Sequence, residues 1–486
     1  MKQIVIIGGG LGGLSSGALL AKEGYRVTLL EQHYVPGGCA TTFKRPGGFK
    51  CEVGLHEMDG VYSSKAVRSV FNALHVYDHM EFVKPKEFFS HHSDTLDFDM
   101  PSQREMAILK LIACYPAEEQ GIRAYFDLIK TIHDKIEQIQ SARWWEYALF
   151  PFLFYSLIKY RHASVKEVMD TLFDNEELKL LLNTNVQYYH DKISEMSFIY
   201  HAIAQHSFYD GGGYFIKGGS QVLSDYLASV IMEHGGEVIL RAEVTNIVVD
   251  SGTVTSVSYR HKREHKKIET DLLISNISPA QTYAMAGVSY RESKKLATSL
   301  LSVYIGFNRD MREVYGKKPY TTFFLDDINT IDAYDAADKS IEDRGFTFTD
   351  YSQVDAGLTP IGKSFAVICS VDTLSAWEGM SDQAYQTKKE HIVTRYLQRL
   401  EELYPGIQEH VAFAEVGTAK TMQRYLKTPA GTAYGFAPTA KQAFRIPQVK
   451  SNKIDNLYFV GAWVVGGGFS AAIISAKMCY DKIHKI

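Results

Sequence analysis

The first apolar run of the chain, Ile4-Val5-Ile6-Ile7, contains no polar residue, the pattern of a parallel-sheet strand buried on both faces. Gly8 to Gly13 then break it into a turn, and Leu14 to Lys22 carry helical periodicity. Gly24 ends the helix, and Val27 to Leu30 predict the next strand, which finishes at Glu31. Short apolar runs of the same kind recur at Val238–Leu240, Val244–Val249, Val254–Val257 and Leu272–Ile274. A last one, Leu457 to Val460, precedes glycines and a terminal helix. Parallel strands covered on both faces need neighbours, so these pieces predict one discontinuous α/β domain built from 1–60, 214–280 and 450–486. Residues 61–213 and 281–449 would form a second, substrate- or membrane-associated domain.

Two stretches stand apart from this pattern. Residues 144–160, WWEYALFPFLFYSLIKY, hold an uncharged run between Glu146 and Lys159 that includes Pro151. It is too short for a membrane span and suits either a core helix or a monotopic insertion, with Arg143, Lys159, Arg161 and Lys166 as basic flanks. Residues 260–267, RHKREHKK, read as the solvated tip of a hairpin.

Composition narrows the classes. Apolar residues make up 45% of the 486 and charged ones 22%, a globular balance. The net charge of −4, from 52 basic and 56 acidic residues, argues against nucleic acid as a partner. Aromatics reach 12%, nearly all Tyr and Phe, which leaves surface for a flat apolar ligand beyond core packing. Cys39, Cys51, Cys114, Cys369 and Cys479 are odd in number and form no C-x-x-C pair. That argues against a disulfide framework or zinc ribbon and predicts a cytoplasmic setting, free or at a membrane surface. His91-His92 has no ligand partner at metal spacing and reads as surface; no metal site is expected.

The chemistry is concentrated in Gly8-Gly9-Gly10-Leu11-Gly12-Gly13, with Gly17 and Glu31. Gly8 permits the turn, Gly10 lets backbone approach a pyrophosphate at the helix start, and Gly13 allows close helix–strand packing. Glu31, about 20 residues on, is placed for a ribose 2′-hydroxyl, which favours FAD or NAD over NADP. Pro36-Gly37-Gly38-Cys39 forms a second glycine turn. Gly461, then Gly466-Gly467-Gly468 ahead of Phe469, offers a terminal site where the small residues Ser470, Ala471 and Ala472 admit a flat ring. The helix start there suits negative charge on a reduced flavin, and a domain for NAD alone has no need of it.

These motifs, with Tyr214-Phe215-Ile216-Lys217-Gly218-Gly219, Leu272 to Asn276 and Gly431-Thr432-Ala433-Tyr434-Gly435-Phe436, resemble the phytoene desaturase superfamily of flavoproteins. Gly37-Gly38-Cys39 with Thr41-Thr42-Phe43, and Gly54-Leu55-His56, are most similar to its retinol saturase and carotenoid isomerase branch. The resemblance spans almost the whole chain. It implies non-covalent FAD in a p-hydroxybenzoate-hydroxylase-like Rossmann domain and a hydrophobic polyene or isoprenoid substrate. It assigns FAD contacts to Gly8 through Gly13, Glu31, Gly38, Val244 and Gly461. Where many relatives place an acid after the glycine matching Gly461, this chain has Ala462 and Trp463.

The expected activity is FAD-dependent oxidation or reduction of a carbon–carbon double bond. A flavin-dependent cis–trans isomerase and an amine-oxidase-like flavoenzyme are the alternatives. His56 reads either as half of a solvated or structural pair with Glu57, or as a substrate-orienting, proton-handling group suited by an ordinary pKa near 6.5. Cys39 reads as an inert thiol or a group facing the flavin, and Tyr214 and Tyr434 as cavity walls or core.

Overall fold

A computed structural model describes residues 2–140, 149–335, 340–442 and 448–484. Its central element is a five-stranded parallel sheet in the order Leu457–Phe459, Leu272–Ser275, Gln3–Ile7, Arg26–Glu31, Glu237–Leu240. The predicted Ile4–Ile7 run forms its middle strand, fully covered, with Val5 opposite Leu273 on one side and Thr28 on the other. Chain start and chain end thus share one sheet.

The helix Leu11–Lys22 lies on this sheet with every residue from Leu11 to Ala21 buried. Its composition, LGGLSSGALLAK, has no amphipathic stripe because helices cover it from both sides. Ser220–Glu233 and the terminal helix Phe469–His484 supply that cover. At Gly17 an added Cβ would stand 2.8 Å from Ile231 Cδ1, so only glycine lets the helices meet this closely. The helix Lys65–Ala73 packs its Val67, Val70 and Phe71 into the same core.

Two of the predicted strands belong elsewhere. Val244–Val249 and Val254–Val257 lie in a three-stranded antiparallel sheet, Ala242–Asp250, Thr253–His261 and Glu264–Glu269. Their alternating exposure is that of a sheet covered on one face, unlike the central strands. The basic stretch 260–267 is mostly strand here, and only Lys262 and Arg263 make the turn. Like charges on one edge are spread by the extended backbone instead of clustering at a loop tip.

A seven-stranded mixed sheet builds the opposite side, in the order Val411–Gly417, Ser299–Phe307, Ser364–Asp372, Phe346–Asp350, Thr321–Phe324, Glu87–His92, Asp97–Pro101. His91 and His92 sit in it and are 2% and 8% exposed, which corrects the surface reading. Each is satisfied locally: His91 Nδ1 lies 2.7 Å from Thr184 Oγ1, and His92 meets Asp97 and Glu402. Helices from Arg104 to Gly211 cover one end of this sheet. Of residues 144–160, those up to 148 lie outside the described residues; Phe150–Leu153 and Tyr155–Tyr160 are short helices. No helix among the described residues is long and apolar enough to cross a membrane.

Candidate functional site

Four neighbouring parallel strands end along one edge of the central sheet, and each delivers one site element there. In sheet order these are Gly461, Asn276, the Gly8 loop and Glu31. In open α/β sheets that edge is where ligands bind. Gly8 takes φ +94°, a turn only glycine enters without strain, and Gly10 caps the first helix with no side-chain hydrogen bond. The helix start therefore presents unsatisfied N–H groups, the arrangement that holds a pyrophosphate.

The second glycine turn packs on the first. Gly37 N donates to the Gly9 carbonyl at 2.7 Å, and a Cβ on Gly38 would stand 3.3 Å from Gly10 Cα. Glu31 is buried, and its carboxylate accepts from Gly9 N at 2.6 Å and His33 N at 2.7 Å, leaving lone pairs for further donors. Val244, in the antiparallel sheet, packs against the apolar cluster that includes Ile7 and Leu30 of the central sheet.

Asn276 is the residue that sequence reasoning placed in a motif but gave no role. Its Nδ2 donates to the Gly8 carbonyl at 3.3 Å. An added Cβ would approach this amide to 2.8 Å from Gly10 and to 2.1 Å from Gly461, while one on Gly12 would reach Gly461 N at 2.6 Å. Start loop and end turn thus close on one amide. Gly461 N donates to Ser475 Oγ at 2.7 Å, which anchors the turn to the terminal helix that begins at Phe469. A Cβ on Gly468 would meet nothing within 4 Å. Leu11, Gly12 and Gly13 are buried, whereas Gly8, Gly10, Gly38 and Cys39 keep partial access and Gly54 and Gly468 are exposed, so backbone lines an open crevice. These features fit a dinucleotide laid along backbone from the helix start to the terminal helix.

Beyond the glycine turns lies a polar and aromatic wall. His56 Nδ1 is 2.7 Å from Thr349 Oγ1, and its ring stacks on Tyr188 at 5.8 Å. Tyr188 neighbours Tyr189, and Tyr189 neighbours Tyr200. The Tyr200 hydroxyl donates to the Gly467 carbonyl at 3.5 Å, and the Tyr434 ring lies against Gly467. The wall therefore ends at the terminal helix. Tyr214 sits farther out, against Tyr62 and under Lys84.

Burial sets the protonation states. It pushes His56 down to about 4, so the imidazole is neutral at physiological pH and does not titrate near 6.5. Burial pushes the Cys39 thiol up to about 11, which keeps it protonated and unreactive. Glu52, which the sequence did not single out, is raised to about 7 by burial although Ser220 N and Oγ donate to it at 2.7 and 2.6 Å. It also accepts from Leu55 N at 3.1 Å, and so fixes the backbone that carries His56.

The all-trans-retinol 13,14-reductase of Danio rerio is 25% identical over 98% of this chain and 84% of its own length. Prolycopene isomerase 1, chloroplastic, of an Oncidium hybrid cultivar is 25% identical over 99% of this chain and 83% of its own. The solved cyclohexylamine oxidase of Brevibacterium oxydans superposes with a TM-score of 0.61 at 13% identity, over 99% of both chains. The sequence profile for flavin containing amine oxidoreductases matches residues 11–479. Spanning the crevice from its first helix to its last, that match means that the chain belongs to this family and is an FAD-dependent oxidoreductase.

Proposed function

We propose that the protein oxidises or reduces a carbon–carbon double bond in a hydrophobic polyene or isoprenoid. The observation that carries this reading is the aromatic wall of Tyr188, Tyr189, Tyr200 and Tyr434, which runs from His56 to Gly467 ahead of the terminal helix. The retinol and prolycopene names of its relatives support the same substrate chemistry.

In this reading the first helix start and Gly8 through Gly13 hold the FAD pyrophosphate, and Glu31 accepts from the ribose hydroxyls. Val244 backbone lies at the adenine. Gly38, Cys39, Gly461, Gly468 and Phe469 line the flavin end, where small residues let a ring approach backbone. Bound FAD supplies the two-electron chemistry. The protein's own part is to orient a flat substrate, exclude water, and present neutral groups, since His56 and Cys39 carry no charge at pH 7.

Leu149, Phe152 and Tyr155 are 46%, 83% and 64% exposed beside the exposed Lys159 and Arg161. This apolar patch with a basic edge supports attachment to an anionic membrane surface, from which a lipid-soluble substrate would enter.

The test is anaerobic incubation of the oxidised and of the reduced holoenzyme with retinoid and carotenoid polyenes, with the product mass measured. A loss of two hydrogens with the oxidised form, or a gain of two with the reduced form, supports the proposal. An unchanged mass with altered double-bond geometry supports the isomerase, which the prolycopene isomerase relatives favour as the second reading. Peroxide release from an amine, with polyenes untouched, would overturn both.

A further inference from the structure

The helical turn Thr184–Tyr188 and the residues that flank it hold buried polar atoms without a protein partner. They include Asn183 Oδ1, Asn185 Nδ2 and the Tyr189 hydroxyl, whereas the Tyr188 hydroxyl has Thr321 as a partner. Glu57, next to His56, adds its Oε1 to this set. Folded proteins leave few buried polar groups without a partner, so such a concentration marks a place where something polar binds. Tyr189 and Glu57 are half-buried residues whose Oη and Oε1 are covered, whereas Asn183 and Asn185 are buried throughout. Tyr189 also belongs to the wall described above, through the ring contacts from His56 to Tyr188 to Tyr189, and the Glu57 carboxyl acts electrostatically on Tyr189.

We propose that the substrate carries an oxygen-bearing end, a hydroxyl or carbonyl, held by Tyr189 and Glu57, so that the protein acts on an oxygenated polyene and discriminates against a pure hydrocarbon. This rests on the polyene reading above. The protonation states support it. Burial pushes Glu57 up to about 8 against the opposing pull of Lys84, so its carboxyl is largely a donor at neutral pH. Burial likewise holds the Tyr189 hydroxyl well above its ordinary value. A substrate oxygen can accept from both groups, and a substrate hydroxyl can also donate to the free carboxyl oxygen. A hydrocarbon would instead desolvate these groups and leave them unpaired, and sites built to hydrogen-bond a ligand reject analogues that lack the polar atom.

The experiment is an anaerobic titration of the FAD holoenzyme, read as the shift in flavin absorption. One pair of probes is all-trans-retinol and the same polyene with its hydroxyl replaced by hydrogen. The other is a C40 hydrocarbon carotenoid and its terminally hydroxylated derivative. In at least one pair the oxygenated member is expected to bind about tenfold more tightly. Tyr189→Phe, checked for normal FAD content and melting temperature, is expected to remove that advantage and leave hydrocarbon binding unchanged. Equal binding within each pair, or equal weakening of both members by Tyr189→Phe, overturns the proposal while leaving the polyene reading intact. If no probe perturbs the flavin, the polyene reading fails and this inference with it.

Discussion

Asn276 donates from Nδ2 to the carbonyl of Gly8, 268 residues away in the chain, at 3.3 Å. The same amide stands where any Cβ on Gly461 would have to go. One side chain therefore sets the spacing between the loop after the first strand and the turn after the last.

Replacing Asn276 with alanine removes that spacer without adding bulk. The expected outcome is a folded protein whose FAD affinity is about tenfold weaker, since one hydrogen bond and the alignment of two loops are lost. Flavin fluorescence during titration of the apoprotein checks it.

Glu52 accepts from Ser220 at two atoms and from Leu55. Glu52→Ala leaves those donors without a partner and is expected to cost about 2–3 kcal/mol, measured by chemical denaturation. Its raised pKa also sets a sign. Between about 4.5 and about 7 the unfolded carboxyl ionises while the folded one keeps its proton, so wild-type stability falls relative to Glu52→Gln as pH rises through that window.

His56 shifts the other way. Burial lowers it to about 4, so its contribution is complete above about pH 6.5 and is lost as pH falls from there toward 4. The stability difference between wild type and His56→Gln should therefore change by about 1.4 kcal/mol per pH unit within that window and be flat above it. Paired unfolding curves from pH 4.5 to 8 measure this.

The exposed patch of Leu149, Phe152 and Tyr155 makes a prediction about membranes. The holoenzyme is expected to float with anionic phosphatidylserine-containing vesicles, and Phe152→Ser with Tyr155→Ser to weaken that binding at least tenfold. Unchanged flotation of the double variant would remove the patch from the account.

Much of this site was legible in the sequence because it is local. The strand, glycine turn, helix and Glu31 occupy the 29 consecutive residues from Gln3 to Glu31, whose spacing is dictated by one ligand. Asn276 and Glu52 escaped because their partners are distant in sequence, and a single amide or carboxyl carries no periodicity. His91 and His92 misled for a related reason: the partners that bury them, Thr184, Asp97 and Glu402, come mostly from other elements. Val244 to Val257 reads as strand by composition, but only the three-dimensional pairing separates an antiparallel layer from the parallel sheet.

We propose that the chain's first loop and its last turn hold one FAD between them. Equilibrium titration of the apoprotein with FAD, in wild type, Glu31→Ala and Gly461→Val, decides this. One FAD per wild-type chain, with affinity reduced more than tenfold in each variant, is the predicted result. Undiminished FAD binding by both variants would contradict it.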